Sequence, residues 1–255
     1  MDIVRASSNR APIILVYGAE GRGKTTLAAK FPRPLFLLLE RGLPRGVSVD
    51  AVQGTNSFEG VLRGLREIYE ADNNGYETLV VDTVDALETY VLEYVCAANN
   101  WKSIETPSFG KGWVAADQTW QRFLAAINWV RDTRGMTVVL TCHATIERVE
   151  DPRAPTYTAY APKLHKRARA LVMDAADIVG FLAEDLRVVT DDGGFRERTR
   201  AAAGNGRFLF VEGCPAFNAK NRFGMPAKIP IPPNLDIANL TRYWMKGHHG
   251  TLDDA

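Results

Sequence analysis

The chain has 255 residues, 46% apolar and 24% charged, with 31 basic against 30 acidic side chains and a formal net charge of +1. That is enough chain for one large domain with its own core, and so even a balance excludes a generally polyanion-binding or membrane-surface protein, so any anion site must come from local clustering. Cys96, Cys142 and Cys214 lie far apart without metal or redox spacing, and no apolar run approaches the roughly 18 residues of a membrane span, so a cytoplasmic protein with reduced thiols and no membrane contact is expected.

Residues 1–10 read as a flexible polar N-terminus, 11–246 as a single domain and 247–255 as a disordered tail. Ile13 to Tyr17 form a buried strand, a glycine-rich loop follows, and a helix from Thr26 stops near Pro32. Leu35 to Leu39 is a second buried strand ending at Glu40, and an amphipathic helix spans 57–70, stopped by Asp72-Asn73-Asn74-Gly75. Thr78 to Val81 is a strand ending at Asp82, followed by a helix over about 85–98 and a loop over 99–112. A long helix from Trp113 is capped by Gly135, and Met136 to Thr141 is a buried strand with His143 beyond its tip. Residues 144–162, with three prolines, read as a second long loop before a helix carrying Leu164, Ala168, Leu171 and Val172. Ile178 to Leu182 is a further strand, Asp191-Asp192-Gly193-Gly194 signals a hairpin, Pro226 to Pro233 is extended, and Leu235 to Met245 forms a short helix. The alternation predicts an α/β fold with a mostly parallel sheet flanked by helices and a C-terminal β-hairpin region.

Gly18-Ala19-Glu20-Gly21-Arg22-Gly23-Lys24-Thr25 fits the phosphate-loop pattern G-x-x-x-x-G-K-[ST] between its required strand and helix. Glycines let backbone N–H groups close around a polyphosphate, Lys24 reaches the outer phosphates, Thr25 holds Mg²⁺, and Thr26 continues the cradle into the helix. Asp82 emerges where open α/β sheets place ligands, which makes it the carboxylate on the metal side. Glu40 occupies the matching place on its own strand as the candidate for orienting or deprotonating water. His143 sits where a side chain could sense the γ-phosphate, or where a histidine is simply satisfied at a loop entrance.

The phosphate loop, the Glu40 strand tip, the run Val80-Val81-Asp82-Thr83-Val84-Asp85-Ala86-Leu87, the strand ending at His143 and Ala219-Lys220-Asn221-Arg222-Phe223-Gly224 resemble RecA-type ATPases in that chain order. The last element is similar to the Lys-Asn-Arg-Phe-Gly motif of RadA proteins, and Phe109-Gly110-Lys111-Gly112-Trp113 resembles phage-encoded RecA-like proteins of single-strand DNA annealing and recombination. The resemblance implies a RecA-like P-loop NTPase core that binds ATP and Mg²⁺, with Glu40 as general base. It further implies Lys220 and Arg222 acting on a neighbour's nucleotide, in a phage protein working in the host cytoplasm. His143 stands where RecA has a glutamine, and the strand before Glu40 lacks the usual aspartate.

The resemblance also places DNA-binding loops at 99–113 and 144–162. Arg148, Arg153, Tyr157 and Tyr160, with Lys163, Lys166 and Arg167 beyond them, combine phosphate neutralisation with base stacking, which suits single strands. Arg196, Arg198 and Arg200 share one strand face and read more simply as protection of an exposed edge. The leading expectation is therefore an ATP-hydrolysing oligomer, ring or filament, on single-stranded DNA, with a single-strand DNA-binding protein as a further partner. The alternatives are a hexameric helicase-like or packaging-related motor, a non-catalytic nucleotide-binding scaffold and, more weakly, a small-molecule kinase.

Overall fold

The computed structural model describes residues 10–40, 42–71, 75–193 and 196–245, with the backbone alone between 186 and 205. The expected N-terminal arm and tail, the Asp72-Asn73-Asn74 stop, the tip of the 191–194 turn and the Arg196, Arg198 and Arg200 side chains thus lie outside what is described.

The sheet is mixed and mostly parallel. Its parallel part comprises β1 (Ile13–Gly18), β2 (Pro34–Leu38), β3 (Asp50–Ala51), β4 (Thr78–Asp82), β5 (Thr137–Val149) and β7 (Ile178–Gly193). β8 (Arg196–Phe210) folds back on β7 as the expected hairpin, β10 (Lys228–Pro230) continues that edge, and β9 (Lys220–Asn221) pairs with the start of β7. The order is β10-β8-β7-β1-β5-β4-β2-β3, so β1 lies centrally between β5 and β7.

The central place of β1 follows from its composition. Ile13 to Tyr17 are each at most 2% exposed, with Ile13, Leu15 and Tyr17 facing one core and Ile14 and Val16 the other. At about 1.5–3 kcal/mol for each large apolar side chain buried, such a strand is stable only when covered on both faces. The first core is covered by α2 (Phe58–Glu70), α3 (Val84–Asn99), α4 (Lys111–Arg134) and α5 (Lys166–Ala175). The second lies under α1 (Lys24–Ala28) and α6 (Ala238–Met245). The starts of α2 and α3 follow side-chain chemistry: Ser57 accepts from the Gly60 N–H at 3.1 Å, and Thr83 accepts from the Ala86 N–H at 3.3 Å.

Two expectations need correction. Residues 144–162 form a hairpin, because β5 runs on past His143 and pairs antiparallel with β6 (Tyr157–Pro162) from Ala144↔Pro162 to Val149↔Tyr157. The prolines that suggested a loop, Pro152 and Pro155, fall in its turn, while Thr145, Ile146, Val149, Tyr157 and Thr158 suit a pleated ribbon. The expected 99–112 loop is shorter than read: α3 includes Asn99 and α4 already starts at Lys111, which leaves an irregular segment between them with a single 3₁₀ turn over Ser108–Gly110.

Candidate functional site

Parallel pairing brings the strand tips to one end of the sheet. Gly18 is opposite His143 and Leu38 opposite Asp82, so the phosphate loop, Glu40, Asp82 and His143 meet there. Gly23 takes φ +80°, a left-handed conformation suited to glycine, and opens α1 with Lys24 as the first helical residue. Gly18 must also lack a side chain, since a Cβ would overlap the Leu182 carbonyl of β7.

Lys24 is only 6% exposed, and its Nζ donates to the Gly18 and Ala19 carbonyls, 3.0 Å each. Burial pulls its ammonium below the ordinary lysine range, against the raising pull of Asp85, Asp82 and Glu40. Thr25 Oγ1 donates to Asp82 Oδ2 at 2.9 Å, and Thr141 Oγ1 donates to Asp82 Oδ1. The buried carboxylate therefore has a donor on each oxygen. Thr25 and Asp82 form a hard-oxygen pair beside an anion-binding loop, which fits Mg²⁺ carrying phosphate oxygens and water as its other ligands.

Beside that pair, Thr83 Oγ1 donates to Glu40 Oε1 at 2.7 Å, and His143 Nδ1 lies 3.5 Å from the same oxygen. His143 is held mainly by Asp85, whose Oδ1 accepts the His143 backbone N–H at 3.0 Å and whose Oδ2 lies 2.7 Å from Nδ1. Burial would raise the Asp85 carboxyl, but the hydrogen bonds from the His143 side chain and backbone bring it below its ordinary range. Glu40, Asp85 and His143 place one ligand atom each within 4.8 Å of one another, a mixed set able to approach a second cation. Its Nδ1 is, however, already engaged by Asp85.

Asp85 and Thr141 escaped the sequence reading. Asp85 stood in the quoted run, two residues after the α3 cap, where an acidic residue reads as ordinary helix-start chemistry. Thr141 looked like one more β-branched strand residue.

Lys220 and Arg222 lie at the other end of the sheet. Their neighbour Asn221 pairs with Ile178, whose partner on β1 is Ile14, far from Gly18. Lys220 Nζ donates to the Met173 and Asp174 carbonyls at 3.0 and 3.1 Å, closing the C-terminus of α5, and Arg222 pairs with Asp177 at 3.1 Å. Neither is brought to its own chain's phosphate loop.

Of the residues expected at DNA, Arg148, Lys163 and Lys166 are exposed. Arg153 pairs with Asp151 at 2.9 Å, and Arg167 pairs with Asp117. Tyr157 is half-buried at the hairpin's outer end, whereas the Tyr160 ring stacks on Phe181 with centroids 5.1 Å apart and so faces the core. Among the described residues no helix is long and apolar enough to cross a membrane.

A family model described as "AAA domain" matches residues 10–223. The SPbeta prophage-derived uncharacterized protein YorG of Bacillus subtilis (strain 168) is 29% identical over 228 residues, covering 86% of this chain and 66% of that protein. The chain thus spans just under two thirds of that curated relative's length. The crystal structure of the RadB recombinase is similar at 15% identity and a TM-score of 0.41, over 79% of this chain and 89% of that one.

Proposed function

The chain belongs to the AAA domain family, and from that premise we propose that this P-loop ATPase of RecA-like type hydrolyses ATP as an oligomer on single-stranded DNA. The observation that carries the reading is the joint placement of Lys24, the Thr25–Asp82 pair at 2.9 Å, and Glu40 with His143 at 3.5 Å on neighbouring strand tips. Lys24 and the loop N–H groups hold the phosphates, and Thr25 and Asp82 hold Mg²⁺, which when bound neutralises phosphate charge. Glu40, partly exposed and fixed by Thr83, orients the attacking water and takes its proton. His143, anchored by Asp85, meets the terminal phosphate.

The DNA part rests on the β5–β6 hairpin, which starts at His143 and carries Arg148, with Lys163 and Lys166 just beyond it. Arg153, Arg167 and Tyr157 extend that surface, and the prophage origin of the Bacillus subtilis relative is in keeping with phage recombination, annealing or replication. Lys220 and Arg222, remote from their own loop, are placed to serve a neighbour's nucleotide once assembly draws them from α5 and Asp177. ATP turnover measured at low salt with and without single-stranded DNA tests this, and stimulation is expected. In binding titrations, removing Lys163 and Lys166 together should lower the salt slope by about 1.4, at roughly 0.7 per single-strand phosphate contact. No binding by assembled, ATP-loaded protein would refute the DNA assignment and leave the ATPase standing.

A further inference from the structure

A nucleotide on a phosphate loop has two ends. Lys24 marks the outer phosphates, so the nucleoside must leave past the opposite flank, where Arg22 and Thr26 stand. A cleft of about 630 Å³ opens on that flank, between Gly21, Arg22 and Thr26 on one side and Arg207 with Ile231 to Pro233 on the other. Its volume lies within the range of small-ligand sites, and the Ile231-Pro232-Pro233 wall offers an apolar face to a flat base.

Arg207 stands at the joint between loop and cleft. Its Nη1 donates to the Arg22 carbonyl at 3.0 Å, and its own carbonyl accepts the Ile231 N–H at 2.7 Å, so one residue fixes both walls. The guanidinium occupies the space that a Cβ on Gly23 would need. Arg22 is turned to Glu184, which leaves Arg207 as the cation against the loop here. Its Nε is buried and has no hydrogen-bond partner among the described residues. A buried charged donor without an acceptor points to one supplied from outside the chain.

We propose that this cleft takes the ribose and base of the bound nucleotide, with Arg207 as the positioning residue that donates to a ribose hydroxyl. The assignment rests on the ATP-binding reading of the phosphate loop. Charge-assisted bonds of this kind correspond to about 10- to 100-fold in affinity.

Calorimetry with Mg–ATP and Mg–tripolyphosphate on the full chain separates the two ends of the site. The parent chain should bind ATP more tightly than tripolyphosphate. Arg207→Ala should weaken ATP by about 10- to 100-fold while changing tripolyphosphate by less than about threefold. Equal losses for both ligands would mean that Arg207 only shapes the loop, and would overturn the assignment. Photolabelling the unmodified protein with 8-azido-ATP needs no variant to fold: label on the peptide carrying Ile231 to Pro233 supports the cleft. Label around Tyr160 and Phe217 would overturn it and move the base to the aromatic cleft of about 330 Å³ that meets the loop at Ala19. Tripolyphosphate binding as tight as ATP would refute the nucleoside cleft alone, whereas binding of neither would refute the phosphate-loop reading and the cleft with it.

Discussion

Asp85→Asn should destabilise the protein and change which nitrogen His143 presents to the site. The Asp85 side chain is 9% exposed and accepts two bonds from His143, one from the backbone N–H at 3.0 Å and one from Nδ1 at 2.7 Å. Beside a carboxylate the proton of a neutral ring stays on Nδ1, and Nε2 is left as an acceptor. An amide can still accept the backbone N–H, but its NH₂ then faces Nδ1 and drives the proton to Nε2, reversing the ring's outward polarity. One charge-assisted bond is exchanged for a neutral one in a nearly dry site, at about 1–2 kcal/mol, the difference between the two kinds of bond. For a chain of this size that lowers the melting temperature by roughly 2–8 °C. Because the Asp85 carboxyl is held below its ordinary range, its stabilisation is complete above its unfolded value and lost as pH falls through the lower folded one. The part of the stability gap that the Asp85 carboxylate carries should therefore close in acid. Thermal unfolding across pH gives the magnitude, and ¹⁵N shifts of the His143 ring give the tautomer. An Nε2–H ring in the parent, or a variant melting within about 1 °C of it near neutral pH, would refute the reasoning.

Glu40→Gln should cut turnover by about 10²- to 10⁴-fold with ATP affinity retained, read by single-turnover hydrolysis and calorimetry. Unchanged turnover would move the base elsewhere. Thr141→Val keeps the side chain's shape but strips Asp82 Oδ1 of its donor; a stability loss of about 1–3 kcal/mol and a higher Mg²⁺ requirement for ATP binding are expected, from melts and Mg²⁺ titrations. Mixing Arg222→Ala with Lys24→Ala chains tests action between subunits. Each variant alone should be nearly inactive, and the mixture should recover part of the activity at interfaces that pair an intact loop with an intact Arg222.

What could be read in advance was set by local chemistry. The phosphate loop is legible because its glycines, Lys24 and Thr25 act within one strand–loop–helix unit. Glu40, Asp82 and His143 are legible because a polar residue ending an apolar run marks a strand tip. Asp85 and Thr141 depend on pairings between distant segments: His143 reaches Asp85, and Thr141 reaches Asp82, only after β4 and β5 lie side by side. The hairpin was missed because prolines outweighed a period-2 pattern whose partner strand is separated by a turn. Arg207 gives no local signal at all. Its position opposite Glu184 in the β7–β8 register, together with the Ile231 bond, carries it to the phosphate loop.

The unbroken course of β5 bears on how nucleotide and DNA could affect each other. Thr141, His143 and Arg148 stand on one strand, and five residues at about 3.3 Å each separate His143 from Arg148 by roughly 17 Å. A flexible loop there could absorb a displacement of His143, whereas a paired ribbon transmits it. Its far strand is also tethered, since the Tyr160 N–H donates to the Ala216 carbonyl at 2.8 Å and the Asn218 N–H to the Tyr160 carbonyl at 3.3 Å. Under the proposed function, ATP and single-stranded DNA then bias the same element, and linkage makes the effect reciprocal. If ATP tightens DNA binding about tenfold, DNA must tighten ATP binding by the same factor, and Asp85→Asn must weaken both couplings together. Tightening in one direction only, at equilibrium, would be inconsistent with a single two-site mechanism and would separate the hairpin from the nucleotide.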